Sequence, residues 1–341
     1  MSVSIKDIAR IAGVSHSTVS RALSHSPLVN VETAERIRQL ADEMGYTPSA
    51  IGRSLVTRRT QTIGLVVTHL SDPFVAEVAQ TVEETAQDRG YSVLVSTAGD
   101  PTREVAAVRM LRERRVDGIV VMSSVVGRRY LSLLSELQAP IVLINNQHDG
   151  QYVYSVGMDD VGGAREAVAY LIRRGHRRIG YIAGPPDAVA SDDRQAGWQA
   201  ALAEAGLTAD PALVATPAEG GGRPLGGERA TRDLLARPDP PTAIFCYNDR
   251  TALGALKTAR SLGRRVPADV SIMGFDDIDL AAYLDPPLTT IAQPKAELGQ
   301  RAVEMVLALL KTKGNGAAVE RALLLPGRLV ERASVADCSN P

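Results

Sequence analysis

Residues 7–24 read DIARIAGVSHSTVSRALS, two short amphipathic stretches on either side of a single glycine. Ser4, with Asp7 three residues on, has the pattern of a capped helix start, and Ile5, Ile8, Ala9 and Ala12 recur on one face of the turns that follow. Gly13 ends this helix, because glycine enters left-handed backbone at little cost. Ser15 caps the next helix, in which Val19, Ala22 and Leu23 fall on one side and His16, Ser17, Ser20 and Arg21 on the other. A third helix begins near Asn30, runs through Ala34, Ile37, Leu40 and Met44 and closes at Gly45. The pattern is that of a helix-turn-helix module, all α.

That spacing alone also suits a helical hairpin used as a docking arm. Two features favour nucleic acid instead. The outer arc of the second helix carries Ser, His and Arg, side chains that reach phosphates and base edges. The positive charge of the chain also gathers here. The 341 residues carry a net charge of -1, yet the first 60 hold eight Lys/Arg against five acids, which makes them +3 and leaves the remainder at -4. A small basic head on a mildly acidic body implies a polyanion partner for the head only.

Beyond the head, IGRSLVTRRTQT (51–62) places Arg53, Arg58 and Arg59 around Leu55 and reads as a tether. The pattern then changes to strand-then-helix units: TIGLVVTHL, a helix from Phe74 to Arg89, YSVLVST, a helix from Thr102 to Arg115, DGIVVM, a helix near Tyr130 to Leu137, and PIVLIN. A second series follows: YSVGM, a helix from Val161 to Arg174, RIGYIAG, a helix from Arg194 to Ala205, TAIFCY, a helix from Asp249 to Leu262, and VSIMGFD. Continuous apolar strands alternating with amphipathic helices imply parallel sheets covered on both faces. Two doubly wound units side by side leave a cleft at the C-terminal ends of their strands, where open α/β sheets bind ligands.

Other functions lack their motifs. There is neither a G-x-G-x-x-G after a strand, nor a G-x-x-x-x-G-K-[ST] loop, nor a G-x-S-x-G elbow. The segment GGGRPLGG (220–227) lacks the lysine a phosphate cradle needs and reads as a flexible loop at the cleft edge. The five histidines are scattered, His176 in RGHRR reads as structural, and Cys246 and Cys338 read as plain thiols, so no metal site and no cofactor are expected. The expectation is not an enzyme. No apolar run has the length of a signal peptide or membrane span, which points to the cytoplasm and no membrane partner.

From IKDIARIAGVSHSTVSRALS through GYTPSAIGRSL, SDPF, LIRRGHRRIGYIAGP, RQAGW, YNDRTALGAL, IMGFDDIDLAAYLDPPLTTIAQP and LVERAS, the chain resembles the LacI/GalR family of bacterial transcription repressors. The resemblance implies a helix-turn-helix DNA-binding domain at 1–48, a hinge at 49–60 and a periplasmic-binding-protein-like body at 61–333. Its first lobe would take about 61–159 plus 293–320, and its second about 160–292 plus 321–333. On DNA, the family pattern puts His16, Ser17 and Arg21 on base edges, Ser15 and Thr18 on phosphates, and Leu55 in the minor groove beside Arg53 and Arg58. In the cleft it puts Phe74, Ser124, Asn145, Arg194, Asn248, Asp276 and Gln293 on the effector. An Arg fork suits paired hydroxyls or a carboxylate, and Asp276 would accept bonds from hydroxyls or ring nitrogens. Asn248 and Asn145 follow strands and equally suit turn or helix caps, and Phe74 equally suits the core. Trp198 reads as core or interface.

The implied function is an effector-controlled repressor that reads a pseudo-palindromic operator as a homodimer, with a sugar or glycoside as effector and a nucleobase or other polar metabolite as the alternative. A transport-linked binding protein of the same fold would have no DNA-reading head. The chain departs from the family pattern at Gly52 in the hinge, at Val75, and near Gly221, where relatives often carry an aromatic over the ligand.

Overall fold

The computed structural model of the protein describes residues 3–24, 26–46, 59–122, 139–145, 154–186, 188–312 and 319–338. Arg53, Leu55, Arg58 and Ser124, and the helix expected near 130–137, lie outside the described residues. The chain divides into two compact units, residues 1–61 and 62–341.

In the first unit, α1 (Ile5–Ala12), α2 (His16–Leu23) and α3 (Val31–Glu43) form where the sequence pattern places them. Each start is capped. Ser4 and Asp7 bond reciprocally, with the Ser4 N–H donating to Asp7 Oδ2 at 3.1 Å. Ser15 Oγ accepts from the Thr18 N–H at 3.1 Å, and Asn30 Oδ1 accepts from the Thr33 N–H at 2.9 Å. Gly13, at φ 66°, supplies the left-handed turn between α1 and α2. Ile8, Ala9, Val19, Ala22, Ala34, Ile37 and Ala41 close one small core.

The second unit contains two parallel sheets. The first lobe is built from β1 (Thr62–Val67), α4 (Pro73–Asp88), β2 (Ser92–Thr97), α5 (Pro101–Glu113), β3 (Gly118–Met122), β4 (Ile141–Ile144) and β5 (Tyr154–Met158). The second lobe begins with α6 (Asp160–Arg173), β6 (Ile179–Ile182), α7 (Val189–Glu204) and β7 (Val214–Ala215). It continues through α8 (Pro224–Leu235), β8 (Ala243–Cys246), α9 (Asp249–Ser261) and β9 (Ser271–Met273). The chain then crosses through β10 (Thr290–Ala292), α10 (Lys295–Lys311), β11 (Ala322–Leu325) and β12 (Arg328–Val330). Strand order is β11-β5-β4-β3-β1-β2 in the larger sheet and β7-β6-β8-β9 in the smaller, and β10 and β12 form a separate antiparallel pair.

Four expectations need correction. YSVGM (β5), with which the strand series opens a second unit, is the fifth strand of the first sheet, in keeping with first-lobe bounds of about 61–159, because it pairs with β4 and β11. For the same reason residues 322–325 belong to the first lobe, although the sequence reading assigned 321–333 to the second. Residues 224–227 of GGGRPLGG are the first turn of α8, with Pro224 where a missing N–H costs nothing. Gly227 there lies against the Thr251 carbonyl and Gly254 of α9 against the Pro224 carbonyl, so these glycines let two helix backbones meet. The helix α7 also starts at Val189, five residues before the expected Arg194.

Trp198 is buried, and its Nε1–H donates to the Ile179 carbonyl at 3.2 Å. His176 is buried as well, bonded to Thr242 Oγ1 at 2.9 Å and the Ala336 carbonyl at 3.2 Å, a structural role. Among the described residues no helix is long and apolar enough to cross a membrane, and no group of His, Cys, Asp and Glu could hold a metal ion.

Candidate functional site

On α2 the apolar residues Val19 and Ala22 face the core, which leaves Ser15, His16, Ser17 and Arg21 exposed and Thr18 half-buried. Ser15 Oγ lies 2.7 Å from Ser17 Oγ and 2.9 Å from Thr18 Oγ1, so three hydroxyls cluster at the start of this helix. The helix N-terminus and these hydroxyls form a surface that can hold phosphate oxygens, and His16 and Arg21 extend along the same face.

In the body, the loops that follow the C-terminal ends of the strands converge on one cavity of about 530 Å³. That volume suits a small ligand. Phe74, Asn145, Arg194, Asn248, Asp276 and Gln293 all line it, together with Val75, Tyr247 and the loop 219–223. Every expected cleft residue among the described ones is therefore brought together.

Arg194 is the centre of the floor. It is only 3% exposed. Its Nε–H donates to Asp160 Oδ1 at 2.8 Å and its Nη1–H to the Tyr247 carbonyl at 2.6 Å, with Asp276 Oδ1 at 3.8 Å. The guanidinium carbon lies 3.7 Å from the Phe275 ring centroid and 4.7 Å from that of Tyr247, so the cation is also held between aromatic faces. Burial works against its charge, but Asp160, Tyr247 and Asp276 outweigh it and hold the side chain protonated. Burial pushes the carboxyls of Asp160 and Asp276 upward, only partly offset by Arg194.

Asp276 is presented by strained backbone, with φ at 115° and Asp277 following at 54°. The turn is over-determined by its neighbours. The Arg332 guanidinium donates to Asp277 Oδ1 at 2.7 Å, Lys295 Nζ to the Asp277 carbonyl at 2.6 Å, and the Ile278 N–H to Asp249 Oδ2 at 2.9 Å. From Asp276 a polar relay crosses to the first lobe. Gln293 Nε2–H donates to Asp276 Oδ1 at 2.7 Å, and Asn145 Nδ2–H donates to Gln293 Oε1 at 3.0 Å. Asn145 sits just past β4 at φ 52°, a conformation asparagine tolerates, with its Oδ1 accepting from the Met158 N–H at 3.3 Å.

Asn248 lines the cavity but its amide is occupied. Oδ1 caps α9 by accepting from the Thr251 N–H at 2.8 Å, and Nδ2–H donates to the Gly222 carbonyl at 3.2 Å. Its part in the site is to hold the 219–223 loop. Phe74 is buried in the core and presents one edge of the cleft wall.

Sequence reasoning passed over several partners. Asp160, which no motif singles out, neutralises Arg194. Asp72 and Arg250 form an ion pair at 2.6 Å, and Arg223 Nη2–H donates to His69 Nε2 at 2.9 Å, each joining the first lobe to the second at the cleft mouth. These pairs are separated by 178 and 154 residues, so no local pattern signals them.

The sequence profile of bacterial regulatory proteins, lacI family, matches residues 4–49, and that of the periplasmic binding protein-like domain matches residues 168–335. The chain is 37% identical over 311 residues to the HTH-type transcriptional repressor PurR of Aliivibrio salmonicida, covering 91% of this chain and 92% of that one. The chain belongs to the LacI family. It is also 37% identical over 332 residues to the ribose operon repressor of Haemophilus influenzae, covering 97% and 98% of the two chains. Among solved structures, the lac repressor dimer bound to operator and an anti-inducer superposes with a TM-score of 0.89 at 28% identity, covering 98% of this chain and all of that one. As a LacI-family member the protein is a DNA-binding transcriptional regulator rather than an enzyme, with a helix-turn-helix head and a periplasmic-binding-protein-like body.

Proposed function

We propose that this LacI-family chain represses transcription in the cytoplasm by reading a pseudo-palindromic operator as a homodimer, under control of a sugar or glycoside held in the body's cleft. The observation that carries the effector reading is the polar relay on the cleft floor. Arg194, Asp276, Gln293 and Asn145 offer directional donors and acceptors in a buried setting, which suits a ligand rich in hydroxyls. Phe74 and Tyr247 supply apolar wall, Asn248 holds the loop above it, and Ser124 completes the set.

On operator DNA, His16, Ser17 and Arg21 read base edges and Ser15 and Thr18 hold phosphates. The tether contributes Arg53 and Arg58 to the backbone and Leu55 to the minor groove, where apolar contact offsets unstacking. Two-fold symmetry of the dimer matches the symmetry of the operator. The effector acts by its differential affinity for the DNA-competent and DNA-released states of the body.

A nucleobase is the second reading, supported by the aromatic side chains of Phe74 and Tyr247 in the cavity lining and by the relatives named PurR. The test is the melting temperature of the full chain against sugars, glycosides and nucleobases, since a cleft ligand in excess raises it by mass action. A sugar shift that disappears in Asp276→Asn is expected. Nucleobase shifts alone, lost in the same variant, would replace the sugar with the second reading.

A further inference from the structure

Two cross-lobe contacts close the cleft mouth, and they differ in charge. Arg250 of α9 faces the Asp72 carboxylate, so that contact is complete, and the pair is about four-fifths buried. Arg223 of the 219–223 loop instead faces His69, in the loop after β1. An arginine N–H can only donate, so His69 Nε2 accepts and the imidazole in this contact is neutral with its proton on Nδ1. Among the described residues Arg223 forms no ion pair, and the neighbouring Glu219 is committed to Arg229 at 3.1 Å. A guanidinium thus meets a group that carries no negative charge, at the rim of a cavity both side chains line. His69 is also held in place from behind: a Cβ on Gly99 would stand 3.0 Å from its Cε1.

The floor of the same cavity has the opposite character. Asp160 and Asp276 both lie against Arg194, so the floor offers carboxylate oxygens, whereas the rim offers the Arg223 guanidinium, with the Glu219 and Asp72 carboxylates there already paired to Arg229 and Arg250.

We infer that the effector is a hydroxyl-bearing anion whose hydroxyls meet Asp276 and the relay, and whose phosphate or carboxylate inserts between Arg223 and His69. This rests on the cleft reading above and narrows its ligand class. An anion in that position takes paired N–H bonds from the Arg223 fork, the geometry that makes Arg–phosphate and Arg–carboxylate contacts strong. His69 then changes from acceptor to donor by carrying its proton on Nε2. The anion bonds to both lobes at once and so replaces a weak neutral contact with a charged bridge across the mouth, which favours the closed body.

The experiment is calorimetric titration of the full chain with matched pairs: glucose and glucose 6-phosphate, ribose and ribose 5-phosphate, glucose and glucuronate, with inorganic phosphate alone as a control. The anionic member of one pair is expected to bind about tenfold or more tightly than its neutral partner, and better than phosphate alone. Arg223→Gln removes that advantage without lowering the ligand-free melting temperature, and His69→Gln reduces it. Asp276→Asn weakens both members of the pair. Neutral members binding as well as anions, an anion advantage that survives Arg223→Gln, or no anion of the panel binding at millimolar concentration would each overturn the inference. Ligand binding indifferent to Asp276→Asn would instead sink the cleft reading on which it rests.

Discussion

The DNA-reading head and the effector cleft use polar side chains in opposite ways. On α2 the side chains of His16 and Arg21 stand in solvent. In the cleft, Arg194 and Asp276 are buried, Arg194 bonded to Asp160 and the Tyr247 carbonyl, and Asp276 to Gln293, whose bond with Asn145 reaches the first lobe. His16 or Arg21 can therefore be removed for its function alone. A cleft residue cannot, because the same bonds that orient it for a ligand also satisfy its buried neighbours. Stability and binding measured side by side test that difference.

The largest effect is expected at Arg194. Arg194→Ala strips the partner from buried Asp160 and should destabilise the body by about 3–5 kcal/mol, the range for breaking a buried pair. Calorimetry of the full chain should show the body's transition falling steeply, and an unchanged transition would place Asp160 in water. Loss of effector response in this variant is uninformative by itself, which is why the near-isosteric Asp276→Asn serves better.

A second expectation concerns pH. Asp249 lies under the Asp276 turn, accepting from Thr290 Oγ1 at 2.6 Å and from the Ile278 N–H. Burial raises its carboxyl to about 7, although those hydrogen bonds lower it, whereas the unfolded chain releases this proton near 3.8. The folded state thus binds the proton more tightly, and the stability this contributes is full below the unfolded value and lost as pH rises through about 7. Urea unfolding at acid and neutral pH should show this loss in the wild type and a flatter profile in Asp249→Asn. Equal slopes would mean that the carboxylate is already charged in the folded protein.

Smaller effects belong to the head. Ser15→Ala removes the α2 cap and should cost about 1 kcal/mol of head stability, read from the head's own transition. Smallest in stability is Arg21→Ala, within about 0.5 kcal/mol for an exposed side chain. Its operator affinity should nonetheless fall by about 1–3 kcal/mol with relaxed specificity at one position. Equal loss on specific and unrelated DNA would remove Arg21 from the base-reading face.

The head was legible because everything that makes it is local. Ser4 with Asp7, Gly13 and Ser15 set the helix ends within a few residues, and the apolar spacing of Ile8, Val19 and Ile37 names the core. The alternation of strands and helices in the body was legible for the same reason. Strand membership was not: YSVGM and ALLL show the same apolar run whichever sheet they join, since pairing is decided by partners far along the chain. GGGRPLGG was misread because glycine marks both loops and close helix contacts, and only the approach of α9 distinguishes them.

The candidate cleft residues came from motif resemblance, and the structure brings the described ones to a single cavity. What neighbours them came from tertiary structure alone. The sequence by itself determined the helix caps, the periodicities, the charged head and the identity of the polar residues, because these act over one or two turns. Which acid neutralises Arg194, which strand closes the first sheet, and why Arg223 meets an imidazole where Arg250 meets a carboxylate were decided by the packing of two lobes. Such contacts join residues more than thirty positions apart, and their energy depends on burial that no local pattern encodes.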